Sequence, residues 1–225
     1  MKRKIVHTFA RLIFRLFSRV TVTGLDNLPV KGSAILAVNH LSIIDAPLVF
    51  AIVPRPDLTA LVAKNHRKNL FLRLVVNAVN GIWINRDEAD SQAVRAARDH
   101  LKGGGMLGIA PEGTRSHTGE LAPAKTGVAY LANLARVPII PVAVTGTYKG
   151  IQQILMLRRP RFHVNIGKPF ELPPIDRKDR DQALQLHTEE IMSQIAVMLP
   201  SIHRGAYGEH PRTKELLGNS RDRVH

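Results

Sequence analysis

The sequence contains no cysteine. Disulfides, thiolate metal sites and a cysteine nucleophile are thereby excluded, and the usage fits a reducing cytoplasm. Aromatics are sparse, with one tryptophan, three tyrosines and seven phenylalanines in 225 residues. Binders of single-stranded nucleic acid stack bases on such rings, and no zinc, helix-turn-helix or RNA-recognition signature accompanies the basic residues. No apolar run approaches the roughly 18 residues that a membrane-crossing helix requires. No Gly-Lys-Ser/Thr ending is present, so a nucleotide P-loop is excluded. Acidic residues are also short, 18 against 32 lysines and arginines, for a formal charge of +14. Such an excess marks a polyanionic partner. Charge alone supports nucleic acid, and an anionic membrane surface is the better match.

The basic residues are present from the start. No acidic residue precedes Asp26, and Arg11, Arg15 and Arg19 interrupt the first apolar stretch, which argues against a cleavable signal peptide. At helical spacing Lys4, Arg11, Arg15 and Arg19 share one side, and Phe9, Leu12, Ile13, Leu16 and Phe17 cover much of the rest. That is the composition of an interfacial helix in the headgroup layer, expected over residues 1–22. No linker or internal repeat divides the chain beyond this helix, so residues 23–202 read as one domain. The irregular stretch 203–225 reads as a loosely held polar tail.

Strand and helix signals alternate through the domain. Ile35–Val38, Thr59–Ala63, Ile82–Ile84, Met106–Ala110, Ile139–Val144 and Phe162–Ile166 read as strands. Helices are expected over 65–79, 91–102, 126–136 and 179–199, with Asn80-Gly81 as a stop after the first. The alternation predicts an α/β fold, a mixed and mostly parallel sheet flanked by helices, preceded by the amphipathic helix.

Two short segments carry chemistry. In Asn39-His40-Leu41-Ser42-Ile43-Ile44-Asp45 a histidine precedes a carboxylate by five residues. Residues five apart on a regular helix point about 140° away from each other. The pair therefore meets only if His40 ends the strand Ala34–Val38 and the chain folds back to bring Asp45 beneath it. Taken alone, the segment reads equally well as a packed histidine with Asp45 capping a helix. The second segment, Ile109-Ala110-Pro111-Glu112-Gly113-Thr114-Arg115-Ser116, ends a strand with a turn and sets an arginine fork suited to phosphate beside it.

Together with two weaker blocks, Gly81-Ile82-Trp83-Ile84-Asn85-Arg86 and Val137-Pro138-Ile139-Ile140-Pro141-Val142, these segments resemble the glycerolipid acyltransferase family typified by 1-acyl-glycerol-3-phosphate acyltransferases. The likeness covers roughly residues 20–170. One departure is Ala110, where the family usually carries an aromatic or larger apolar residue. The resemblance implies acyl transfer from acyl-CoA or acyl-carrier protein to the sn-2 hydroxyl of lysophosphatidic acid, giving phosphatidic acid. Both donors are acidic and would benefit from the basic field. The enzyme would be peripheral (monotopic) on the cytoplasmic face of the membrane. His40 would be the general base and Asp45 its orienter, with a covalent route through Ser42 as a lesser alternative. Arg86 and Arg115 would hold the acceptor phosphate, assisted by the N–H groups of Gly113 and Thr114, with Lys125 extending the basic site. Glu112 would bond a glycerol hydroxyl or brace an arginine, and Asn39 would hold the turn or polarise the thioester carbonyl. No cofactor is expected, and a histidine with a lone aspartate makes no metal site. The same motifs admit another lysophospholipid, an aminolipid or a glycolipid as acceptor, and a non-catalytic basic lipid-binding protein is the reading from another class.

Overall fold

The computed structural model describes residues 2–85, 90–176 and 178–221. Among these residues, α1 (Lys2–Phe17), α2 (Asp45–Ile52), α3 (Leu70–Ala78), α4 (Ser91–Lys102), α5 (Gly127–Ala135), α6 (Gly150–Leu155), α7 (Arg180–Val197) and α8 (Pro211–Arg221) surround one sheet. Its strands are β1 (Arg19–Thr23), β2 (Ala34–Val38), β3 (Leu58–Ala63), β4 (Ile82–Ile84), β5 (Met106–Ile109), β6 (Ile139–Thr145) and β7 (Arg161–Ile166). The spatial order is β1-β7-β6-β2-β5-β3-β4. Every neighbouring pair is parallel except β6 with β7.

The central strand β2 is buried along its whole length, as its unbroken Ala-Ile-Leu-Ala-Val sequence requires of a strand covered on both faces. Alternation then divides its side chains. Ile35 and Ala37 join Leu107, Leu101, Val128 and Ile191 on the face covered by α4, α5 and α7. Leu36 and Val38 join Phe14, Leu48, Ile140 and Phe162 on the face covered by α1 and α2. At the amino end of the strands the buried Arg55 donates to Pro29 O at 2.8 Å, Gly32 O at 2.9 Å and Gly104 O at 3.1 Å, and pairs with Asp57. The amino end is thus closed by backbone contacts, and the carboxyl end carries the two chemical segments.

Helix α1 is seated by its arginines. Arg11 Nε donates to Ala51 O at 2.7 Å, in the last turn of α2, and Arg3 donates to Val79 O at 2.7 Å and to Leu58 O. Ala51 and Val79 offer carbonyls at helix ends, where a cation is favourable. Phe14 is buried against Phe162, with ring centroids 6.3 Å apart. The opposite stripe, Ile5, Phe9, Leu12 and Leu16, is exposed. No helix among the described residues is long and apolar enough to cross a membrane.

Three local expectations are corrected. The helix expected to reach residue 22 stops at Phe17, and Arg19–Thr23 forms the edge strand β1, in register with β7 from Arg19↔Arg161 to Thr23↔Asn165. Alternating β-branched residues fit a pleated edge better than a helix. The helix expected over 65–79 splits into a 3-10 turn, Lys64–Lys68, and α3, because Asn69 Oδ1 accepts Leu72 N at 2.9 Å and starts a new helix. The stop after it is as expected, with Asn80 taking the positive φ of 56°. Finally, the stretch beyond His203 is ordered up to residue 221. Helix α8 lies on α7, with Thr213 buried and Arg212 Nε 2.5 Å from Glu190 Oε2. Burial raises the Glu190 carboxyl, but Arg212 and Gln194 more than offset this and hold it below its ordinary value.

The fully buried Phe162 joins β7 to α1 on one face of the sheet. Phe162→Ala is expected to cost about 3–5 kcal/mol, read as a lower urea midpoint at unchanged m-value.

Candidate active site

The segments after β2 and β5 meet at the carboxyl end of the sheet, where open α/β sheets place their sites. Strand β2 ends at Val38, and Asn39 extends its pairing through the side chain. Asn39 Nδ2 donates to Val144 O at 2.9 Å, and Val144 N donates to Asn39 Oδ1 at 2.7 Å. Asn39 is fully buried, so of its two expected roles it holds the turn. Its donor Nδ2 is bonded to Val144 O and its side chain is shut off from solvent, which favours the first role over polarising a thioester carbonyl.

His40 is next, mostly buried, and Asp45 closes the turn as the first residue of α2. His40 Nδ1 lies 3.2 Å from Asp45 Oδ2. The same oxygen accepts Ser42 N at 2.6 Å, and Asp45 N donates to Ser42 O at 3.2 Å. The carboxylate is 1% exposed and sits at a helix N-terminus, where negative charge is favourable. With Nδ1 committed to Asp45, the nitrogen left for chemistry is Nε2. No hydrogen bond joins Ser42 Oγ to the imidazole among the described residues.

The Pro-Glu-Gly-Thr-Arg-Ser segment grips His40 from the other side. His40 N donates to Glu112 Oε1 at 2.7 Å, and Ser116 N donates to His40 O at 2.7 Å. Glu112 Oε2 accepts Ala122 N at 3.0 Å. Glu112 is buried, and burial pushes its carboxyl above the ordinary value, with the N–H groups of Ala122 and His40 opposing. Each oxygen accepts one backbone N–H, so the carboxylate braces the turn around His40. Ser116 Oγ accepts Gly119 N at 3.0 Å and Glu120 N at 3.1 Å, fixing the next turn.

The cations stand differently. Arg115 is exposed and makes no hydrogen bond or ion pair among the described residues. Lys125 N is bonded to Pro111 O at 2.9 Å, and its exposed side chain crosses over Gly113. A Cβ on Gly113 would lie 3.2 Å from Lys125 Cδ, and Gly113 adopts a φ of 71°, so glycine is the residue that fits. Gly113 N, the expected phosphate donor, is bonded to Ala110 O at 3.1 Å in this structure. Thr114 is exposed beside Arg115. Arg86 lies outside the described residues. Next to Gly113 and Lys125, a cleft of about 240 Å³ runs between α4 and α5, lined by Leu61, Ile84, Val94, Ala110, Val128 and Leu131. Ala110, where the family pattern has a larger residue, is part of that lining.

Sequence reasoning missed the C-terminal brace. Leu121 N donates to His203 O at 2.9 Å, His203 Nδ1 to Gly119 O at 2.7 Å, and Ala124 N to the buried Tyr207 Oη at 3.0 Å. These contacts hold the segment that presents Ala122 N to Glu112. Burial pushes the Tyr207 hydroxyl pKa up, partly offset by the Ala124 N–H and reinforced by Glu189 and Glu112. No local pattern announces contacts some 80 residues apart. The intact Ser116 of the motif was the one available sign of the turn it holds.

A family model described as Acyltransferase matches residues 19–145. The chain is 30% identical over 199 residues to the 1-acyl-sn-glycerol-3-phosphate acyltransferase of Escherichia coli (strain K12), covering 84% of this chain and 77% of that protein. It is 23% identical to the enzyme of the same name from Bacillus subtilis (strain 168), covering 82% of this chain and 90% of that one. Against the coconut (Cocos nucifera) enzyme of that name it is 35% identical over 56% of this chain, and it spans only 42% of that relative's length. The crystal structure of the 1-acyl-sn-glycerophosphate (LPA) acyltransferase PlsC from Thermotoga maritima matches with a TM-score of 0.64 and 27% identity, over 84% of this chain and 76% of that one.

Glu112→Gln offers one acceptor oxygen to two N–H donors and turns an NH2 toward the second. It should cost about 1–3 kcal/mol. The raised carboxyl gives the change a pH signature. Folding favours its protonated form, so that contribution is present below the ordinary value of 4.5 and is lost as pH rises through the raised one. The stability margin of wild type over the variant should therefore narrow as pH rises through that window in stepped urea titrations. A widening margin would contradict the assignment.

Proposed function

The chain belongs to the acyltransferase family, and on that premise we propose that it moves a fatty acyl group from acyl-CoA or acyl-carrier protein to the sn-2 hydroxyl of 1-acyl-glycerol-3-phosphate, giving phosphatidic acid. The observation that carries the reading is the His40–Asp45 pair at the carboxyl end of β2. A hydroxyl attacks a thioester only as a base removes its proton. In this reading His40 Nε2 takes that proton while the new C–O bond forms. Asp45 stabilises the imidazolium, as the carboxylate does in other triads. The thioester C–S bond then breaks, and His40 returns the proton to the departing thiolate. Proton and acyl group both balance without an acyl-enzyme, and the absence of a bond between Ser42 Oγ and His40 among the described residues supports the direct route.

Arg115 and Lys125 are uncommitted cations beside that base and suit the acceptor phosphate, each charge-assisted contact contributing about 1.5–3 kcal/mol. The names of the bacterial relatives support lysophosphatidic acid as the acceptor. The apolar cleft beside Gly113 suits the acyl chain. Helix α1, docked by its arginines with Ile5, Phe9, Leu12 and Leu16 outward, suits peripheral attachment to an anionic membrane. The cytoplasmic face is the reading that fits a cysteine-free chain and these donors.

The test is thiol release from acyl-CoA or acyl-carrier protein, with and without lysophosphatidic acid. His40→Ala should lower turnover by about 10²–10⁴, and Arg115→Ala should mainly raise the acceptor KM. Unchanged turnover in His40→Ala would remove the proposal. Ala110→Phe should lower kcat/KM for long-chain donors while sparing short ones, and equal loss across chain lengths would count against the cleft as the acyl seat.

A further inference from the structure

The end of α6 presents three consecutive apolar side chains to the outside. Leu155, Met156 and Leu157 are 78%, 67% and 95% exposed. The turn itself is well formed, because Arg158 N donates to Gln153 O at 2.9 Å and Leu157 N to Ile154 O at 2.9 Å. Those paired bonds make a Schellman ending, whose left-handed position is usually glycine. Here it is Leu157, at a φ of 55°. A bulky residue is costly in that conformation, and in water its exposed side chain gains nothing in return.

The surroundings identify what covers it. No aspartate or glutamate occurs from residue 121 to residue 170, and Lys149, Arg158 and Arg159 are exposed around the turn. Arg159 Nη2 donates to Arg15 O at 2.5 Å, and Arg19 N to Pro160 O at 2.8 Å, joining the segment after α6 to the end of α1. Ile154 and Phe14 pack into the same cluster, so α6 and α1 rest on one face of the sheet. A projecting apolar turn with cations at its base matches a bilayer surface, with side chains among the acyl chains and cations among the phosphates.

We propose that Leu155–Leu157 is a second membrane-inserting element, entering an anionic bilayer beside α1. The inference rests on the peripheral-membrane reading above. Its value to the enzyme is orientation. One helix fixes a line on the bilayer and leaves rotation about it free, whereas a helix and a separate turn fix a plane. The turn is also tied to the site, since Tyr148, just before α6, donates its hydroxyl to His117 O at 2.5 Å in the loop after Arg115.

Sedimentation with phosphatidylcholine vesicles containing phosphatidylglycerol tests this. The variant carrying Leu155→Ser, Met156→Ser and Leu157→Ser should lose vesicle affinity by about tenfold or more, with unchanged kcat on detergent-dispersed acceptor. Leu157→Gly separates docking from folding. It relaxes the left-handed backbone, so the thermal midpoint should hold or rise while vesicle affinity falls. Wild-type binding that survives both variants would overturn the inference and leave the α1 reading standing. Unchanged vesicle binding with a raised KM for acyl-carrier protein alone would overturn it in favour of a carrier-docking patch. If wild type itself fails to sediment, the membrane reading and this inference fall together.

Discussion

Two hydrogen bonds on the backbone of His40 hold the two chemical segments together. Its N–H is taken by Glu112 Oε1 and its carbonyl by Ser116 N. A histidine in a connecting turn would otherwise sample many orientations, and the base proposed for acyl transfer needs a near-fixed one. Here the main chain is gripped by the segment after β5 and the ring by Asp45, which itself begins α2. The parallel pairing of β2 with β5 makes this possible, because it delivers both segments to the same end of the sheet at the same height. Glu112 extends the grip outward through Ala122 to the segment that His203 and Tyr207 brace. The C-terminal region, remote in sequence, is thereby part of what keeps His40 in place.

The cost of this arrangement is a buried carboxylate. Two backbone N–H groups compensate Glu112 without restoring its ordinary acidity. Buried polar groups of this kind are tolerated only when their partners are complete, and both of its oxygens are occupied. The reactive edge of the site is the reverse case. Arg115 and Lys125 are exposed, and their side chains make no hydrogen bond or ion pair among the described residues, which suits the proposed anionic acceptor.

The charge excess is used in two ways. Arg3, Arg11 and Arg55 are turned inward on carbonyls, where they dock α1 and close the amino end of the sheet. Their work is structural, and the net charge alone does not distinguish it from membrane attraction. The cations around α6 are exposed and have no acidic neighbour in sequence. Side-chain bonds to backbone carbonyls mark Arg3, Arg11, Arg55 and also Arg159, whereas Lys149 and Arg158 make none among the described residues, and that sorting is a tertiary property.

The alternating α/β pattern and the buried β2 were legible in the residues alone, and the fold-back that lets His40 meet Asp45 was one of two readings of its segment. Those features rest on short-range chemistry: an unbroken apolar run, a helix start, and a spacing that a regular helix forbids. Only the tertiary structure decided which polar residues remain available. Asn39, Glu112 and Gly113 stand in the same motifs as His40 and Arg115, yet their hydrogen-bonding groups are taken by Val144, His40, Ala122 and Ala110. It also made an edge strand of Arg19–Thr23 and a packed helix of Pro211–Arg221. The physical reason is the same for each. A side chain's donors, acceptors and apolar surface are local facts, but their partners come from segments that only the folded chain brings into contact.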